Sequence, residues 1–210
     1  MEFIIGVDEA GRGPLAGSVY AAAVLYEKNN QPTFPGINDS KKLAPKKRDL
    51  LYDEIKSKSV YSSIQFSTVA EIDSINILQA SLLAMKRAIE KVVAYIINTL
   101  LAPISSISKI YIDGNQSPVL SLPYQIVEIE TVVQGDALIP IISAASILAK
   151  VERDREMQSL SLVYPEYFFE KHKGYGTRLH IEALNTHGPC EIHRKSFAPV
   201  RRALQFAEAT

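Results

Sequence analysis

Four carboxylates stand where apolar stretches of the chain give out. Asp8 and Glu9 follow Phe3, Ile4, Ile5 and Val7; Asp113 follows residues 107–112; Asp136 stands just past residues 125–133. Taken singly, such an acid reads equally well as a turn former or as the first residue of a helix. Taken together, the four read as one site if the strands that carry them share an edge. Acids crowded into one crevice repel one another and raise one another's pKa, and a divalent cation relieves that repulsion. Ligation by oxygen alone suits Mg²⁺ or Mn²⁺. Two such ions roughly 4 Å apart can hold both the attacking and the leaving oxygen of an in-line displacement at phosphorus. The chemistry on offer is metal-assisted phosphodiester cleavage.

Other residue groups are less pointed. Residues 10–17 contain three glycines and a proline, Gly11, Gly13, Pro14 and Gly17, which a turn needs and a strand tolerates poorly. Asp8 and Glu9, as strand neighbours, would point to opposite faces, so a shared site requires the chain to bend right after them. Lys41, Lys42, Lys46, Lys47 and Arg48 stand together with no acid among them, either as a phosphate-binding group or as a solvated helix face. Lys150 and Asp154 are one helical turn apart and can pair with each other. His172, His180, His187 and His193 all lie in the last forty residues with Cys190. The spacing His187-x-x-Cys190-x-x-His193 touches on zinc ligation, but no second ligand pair of the knuckle type accompanies it.

The elements that must position the acids follow from periodicity. Residues 3–7 suit a strand buried on both faces. Residues 18–25, rich in Ala and Val, return antiparallel, and residues 60–69, with Ile64 and Phe66 alternating with Ser63, Gln65 and Ser67, form a half-exposed third strand. A helix follows Pro45, with Ala44 as a poor cap. Ile75, Leu78, Leu82, Met85, Ile89, Val92 and Ile96 line one face of a long helix capped by Asp73 or Ser74. Residues 107–112 form a fourth strand, which a right-handed crossover would place parallel to the first. The fifth covers 125–133, and Pro140 opens a helix whose Ser143, Ala144, Ala145 and Ser146 can lie close on the sheet. With the first and fourth strands as parallel neighbours, their carboxyl ends meet where strand order reverses, the crevice in which open α/β sheets bind ligands. Residues 1–162 read as the catalytic core and 163–210, with a short helix at 178–186, as a helical appendage packed on it.

Composition sets wide bounds. The 210 residues are 47% apolar, enough for a proper core. Lys and Arg number 23, as do Asp and Glu, so net charge gives no hint of a nucleic-acid partner. The single cysteine excludes an internal disulfide and suits a reducing cytoplasm. No basic segment precedes the first apolar run, and the stretch 92–104 is too short and too interrupted to span a membrane.

Asp8-Glu9-Ala10-Gly11-Arg12-Gly13 resembles the opening signature of ribonuclease HII, the type 2 ribonuclease H family. The likeness continues through Asp39-Ser40-Lys41-Lys42-Leu43, through Ala144-Ala145-Ser146-Ile147-Leu148-Ala149-Lys150 with Arg153-Asp154, and through His172-Lys173-Gly174-Tyr175. It ends on His193-Arg194-Lys195-Ser196-Phe197, so that it covers essentially the full length. Gln134 departs from it, standing where the family commonly has a lysine.

The resemblance implies a ribonuclease H-like α/β fold: a five-stranded mixed sheet, helices on both faces and a small C-terminal helical appendage. It implies Asp8, Glu9, Asp113 and Asp136 as catalytic metal ligands, with Asp8 bridging two Mn²⁺ or Mg²⁺ ions. It implies that Gly11, Arg12, Gly13 and Tyr175 sense a ribonucleotide followed by DNA, and that Lys41 and Lys42 contribute to substrate binding. RNA is told from DNA by its 2′-hydroxyl, and backbone groups flanking glycine can approach that group closely. The expected function is endonucleolytic cleavage of the RNA strand of RNA–DNA hybrids, and of ribonucleotides in duplex DNA, on the 5′ side. A nuclease that uses the 2′-hydroxyl as nucleophile wants a histidine acid and base. A carboxylate cluster predicts a water nucleophile instead, leaving a 3′-hydroxyl and a 5′-phosphate. The protein is expected to work as a cytoplasmic monomer in DNA repair. An actin-like phosphotransferase would need a second domain and a second phosphate loop. A non-catalytic binding module would have no use for four acids beside a polyanion.

Overall fold

The computed structural model describes residues 1–32, 37, 44–121, 123 and 126–208. Its centre is one five-stranded sheet in the order β3-β2-β1-β4-β5. β1 (Phe3–Ala10) pairs antiparallel with β2 (Val19–Glu27), which pairs antiparallel with β3 (Tyr61–Ser67). On its other side β1 runs parallel to β4 (Ile107–Asp113), and β4 runs parallel to β5 (Ile129–Val132). The mixed sheet and its parallel β1–β4 pair agree with the sequence-based expectation. β1 is apolar on both faces because helices cover both.

The helices are α1 (Pro45–Lys58), α2 (Val69–Asn98), α3 (Gly135–Leu138), α4 (Pro140–Val163), α5 (Phe169–His172), α6 (Arg178–His187) and α7 (Ala198–Glu208). α2 packs Ala84, Ala88, Ile89, Val92 and Ile96 on Phe3, Ile5 and Val7. α4 covers the opposite face, with Ile141, Ala144, Ala145 and Leu148 on Ile4, Ala22 and Val24, and α1 adds Leu51 and Ile55. Each Phe, Val, Leu or Ile among them, fully buried, contributes about 1.5–3 kcal/mol, and each alanine less. The small-residue face of α4 lets it lie close. At Gly6 the approach is so tight that an added Cβ would sit 2.4 Å from the Ile141 carbonyl oxygen.

Four expectations need correction. The long stretch from Ile77 starts close to where the stripe placed it, but a further helical segment from Val69 precedes it: Thr68 caps that segment, and Glu71 completes a capping box by accepting the Thr68 N–H. Its path is broken at Asn76, whose φ is 69° and whose side chain accepts the N–H groups of Leu78 and Gln79. In β3 the residues turned to the core are Ser63 and Ser67, while Phe66 is exposed. Ser67 can be buried because its hydroxyl donates to the Ala80 carbonyl at 2.8 Å. β5 has only four residues, and Gln125, the expected start of that strand, lies outside the described residues. As expected, Ala44 gives α1 no side-chain cap.

Candidate active site

Asp8 and Glu9 still belong to β1, paired opposite Ala22 and Ala21. The bend expected at Ala10-Gly11 comes at Gly11, whose φ is 102°, after the strand has carried both acids. The two carboxylates therefore leave the strand on opposite faces. Asp8 lies on the α4 side, bonded to Ser146. Glu9 lies on the α2 side and lines a narrow cleft with Leu78, Ser81 and Met85. They share surroundings without a bend because Asp113, at the end of the parallel neighbour β4, is close enough to disfavour ionisation of both. Asp113 also lines the Glu9 cleft. Asp136 sits on the single turn of α3, where its N–H donates to Asp113 Oδ1 at 3.3 Å. The Ser143 hydroxyl holds that turn to α4 by donating to the Asp136 carbonyl at 2.6 Å.

Electrostatics set this corner apart. Asp8 is only 3% exposed. Its pKa is pushed well above the usual aspartate value by burial first, then by Glu9 and Asp113. Burial also raises Glu9, although Arg12, 3.5 Å away, partly offsets it. Among the described residues no three Asp, Glu, His or Cys side chains are gathered into a ready-made metal cage. The donor set nonetheless suits a hard cation, being all carboxylate oxygen, partly buried and mutually repulsive. Asp8, Glu9, Asp113 and Asp136 are the residues that could hold one.

Next to the acids opens a pocket of about 210 Å³ lined by Glu9, Gly11, Arg12, Gly13, Lys150 and Tyr175. Here the glycine turn meets the tyrosine: an added Cβ at Gly13 would lie 3.5 Å from the Tyr175 ring. The ring is half-exposed, with Lys150 and Arg153 at 5.9 and 5.8 Å from its centre. Lys150 is bound to Asp154 at 2.6 Å, as expected. A wider groove of about 760 Å³ continues past Tyr175 and presents Arg48, Lys150, Arg155, Lys171 and Lys173. Lys41 and Lys42 lie outside the described residues.

Several contacts around the site were not foreseen from the sequence. Arg153 and Arg194 are both fully buried beneath the glycine turn. Glu156 accepts both the N–H and the hydroxyl of Ser18. Instead of ligating zinc, His193 uses one ring nitrogen towards Cys190 and the other towards His180. The contacts of Arg194 and Glu156 with the glycine turn cross more than a hundred residues, which no local pattern reveals.

A family model of ribonuclease HII matches residues 5–200. A ribonuclease HII of Delftia acidovorans is 50% identical over 204 residues, which cover 97% of this chain and 79% of that one. Among solved structures, the ribonuclease H2 of Pyrococcus horikoshii superposes with a TM-score of 0.74 at 26% identity, covering 99% of this chain and 100% of that one. Bst-RNase HIII in complex with Mn²⁺ shares the fold, with a TM-score of 0.73 at 18% identity over 100% of this chain and 71% of that one. The sheet order, the acids at its edge and the tyrosine facing the glycine turn thus come with a match along nearly the whole sequence, and the chain belongs to the ribonuclease HII family.

Proposed function

We propose that Asp8, Glu9, Asp113 and Asp136 are the catalytic, metal-holding set with which this endoribonuclease cuts its substrate. As a ribonuclease HII it cleaves the RNA strand of RNA–DNA hybrids and ribonucleotides embedded in duplex DNA. The observation that carries the residue assignment is the burial of Asp8 beside Glu9 and Asp113, with the Asp136 main chain bonded to Asp113. Mn²⁺ or Mg²⁺, a pair in this reading, would supply the charge that neutralises the phosphate and favours ionisation of the attacking water.

The chain's own residues do the rest. Ser146 steadies Asp8, and Arg12 pairs with Glu9 on the pocket side. Tyr175 offers a flat apolar face to one sugar or base while the glycine turn meets the 2′-hydroxyl. The groove with Arg48, Lys150, Arg155, Lys171 and Lys173 takes phosphates of the flanking duplex, with Lys41 and Lys42 expected to add to it. No histidine lines the pocket or the Glu9 cleft. Water is accordingly the nucleophile in this reading, and the cut falls 5′ to the ribonucleotide with 3′-hydroxyl and 5′-phosphate ends. The same reading expects a monomer working in the cytoplasm, the lone cysteine being in keeping with a reducing compartment. No described helix is long and apolar enough to cross a membrane.

The test is cleavage of a duplex carrying one ribonucleotide, with and without Mg²⁺ or Mn²⁺, by the protein and by Asp136→Asn. Metal-dependent cutting that the variant loses while remaining folded is the expected result. Unchanged cutting by Asp136→Asn would remove that residue from the site, and a 2′,3′-cyclic phosphate end would overturn the water mechanism.

A further inference from the structure

Arg194 is fully buried, 177 residues away in sequence from the turn it contacts. Its guanidinium donates to five main-chain carbonyls of a single segment: Gly11 at 2.7 Å, Arg12 at 3.1 Å, Pro14 at 2.8 Å, Gly17 at 2.9 Å and Ser18 at 3.2 Å. No carboxylate lies within ion-pair distance of it among the described residues. The charge is thus met by peptide dipoles, and burial lowers its pKa to about 9.

Across a trans peptide the carbonyl of one residue and the N–H of the next point in opposite directions. Carbonyls drawn towards Arg194 therefore turn the following N–H groups away from it. Two of those have other duties: Leu15 N–H donates to the Gly174 carbonyl at 2.8 Å, and Ser18 N–H donates to Glu156 at 3.1 Å. Val19 already belongs to β2, opposite Ser67 of β3. The N–H groups of Arg12 and Gly13 have no partner among the described residues, and both residues line the pocket with Tyr175.

We infer that Arg194 is the positioning residue that gives the substrate turn its polarity, gathering its carbonyls inward so that the Arg12 and Gly13 N–H groups face the ribonucleotide as donors. The inference rests on the proposed role of the turn. It adds that one buried side chain, which never touches the substrate, sets how well the enzyme tells RNA from DNA. Arg153 backs the same turn more weakly, reaching the Ala16 and Lys173 carbonyls at 3.3 and 2.9 Å.

The experiment compares wild type and Arg194→Lys in binding two duplexes, alike except that one carries a single ribonucleotide. Lysine keeps the charge but has only three donors and no planar fork. Loss of one or two of the turn's oriented bonds should cut the preference for the ribonucleotide duplex about tenfold, with affinity for the all-DNA duplex unchanged. An equal loss on both duplexes, or an unchanged preference, overturns the inference. Should Arg194→Lys fail to fold, the wild type decides through its Arg194 guanidinium NMR signals. These should shift with the ribonucleotide duplex and not with all-DNA, and identical shifts would refute the idea. A wild type without preference sinks the reading of the turn and this inference together, whereas a selective wild type with an equally selective Arg194→Lys sinks this inference alone.

Discussion

Acid should unfold this protein through two histidines, and the direction follows from their hydrogen bonds. Cys190 N–H donates to His193 Nδ1 at 3.0 Å, which leaves the His193 proton on Nε2. That proton faces His180 Nε2 at 3.1 Å, so His180 carries its own on Nδ1, 3.0 Å from the Tyr175 carbonyl. Both rings are fully buried and neutral, and neither can take a second proton without breaking the chain that holds Tyr175. Burial lowers both pKa values from 6.5 to about 4. Below about pH 6.5 the unfolded chain takes up protons that the fold refuses, so stability falls with pH until about 4. For each histidine the loss approaches about 3 kcal/mol at the acid limit and is about 2 kcal/mol at about pH 5. Against a typical domain stability of about 5–15 kcal/mol that is a large fraction. Asp8 and Glu9 contribute with the opposite sign, since acids with raised pKa values gain stability as pH falls. Urea unfolding of wild type and of His180→Gln/His193→Gln, at about pH 7.5 and about pH 5, separates the two effects. The variant should lose distinctly less stability between these two pH values than wild type. Equal slopes would refute the argument.

Two further perturbations test the framework around the site. Gly6→Ala should cost about 1–3 kcal/mol, towards the upper end, because the new Cβ meets the Ile141 main chain, which cannot swing aside; wild-type urea stability would show that α4 does not seat as closely as described. Asp73→Ala removes the acceptor of the Lys195 and Ser196 N–H groups, each at 2.9 Å, and of the Ser196 hydroxyl at 2.6 Å. A loss of about 1–2 kcal/mol is expected at this exposed position, and an unchanged melting temperature would show that the 194–197 turn is held by other contacts.

What the sequence disclosed, and what it hid, divides along one physical line. β1 was legible because burial on both faces leaves an apolar run, β4 because Ile107, Ile110 and Ile112 are buried around Ser108 and Lys109, and the acids stood out by ending both strands. The stripe along α2 was legible from its period of three and four, although Ile75, its expected first member, is exposed. The helical segment before Asn76 was not, because it is only seven residues long before the chain breaks, although Thr68 and Glu71 form a capping box at its start. Nor was the inward turn of Ser63 and Ser67, since only the Ala80 carbonyl, thirteen residues on, makes a buried Ser67 hydroxyl tolerable. Nothing in the sequence marked Arg153 and Arg194 as buried, since the carbonyls that surround them come from distant segments.

Those two arginines bear on where the enzyme ends. A boundary at residue 162 would keep all four acids with the sheet and assign Tyr175 to an appendage. Yet the substrate turn is fastened from the C-terminal side: Leu15 N–H donates to Gly174, Gly17 N–H to Ile192, and Arg194 N–H to the Leu15 carbonyl, at 2.8, 2.9 and 2.8 Å. Ala16 even forms an isolated antiparallel bridge with His193. A chain cut at 162 would retain groups able to bind cations but would leave residues 11–18 without the partners that give them shape. If the proposed roles hold, cation binding belongs to the sheet edge and recognition to the seam between residues 11–18 and 172–194, so damage to the C-terminal part should erase discrimination before it erases metal binding.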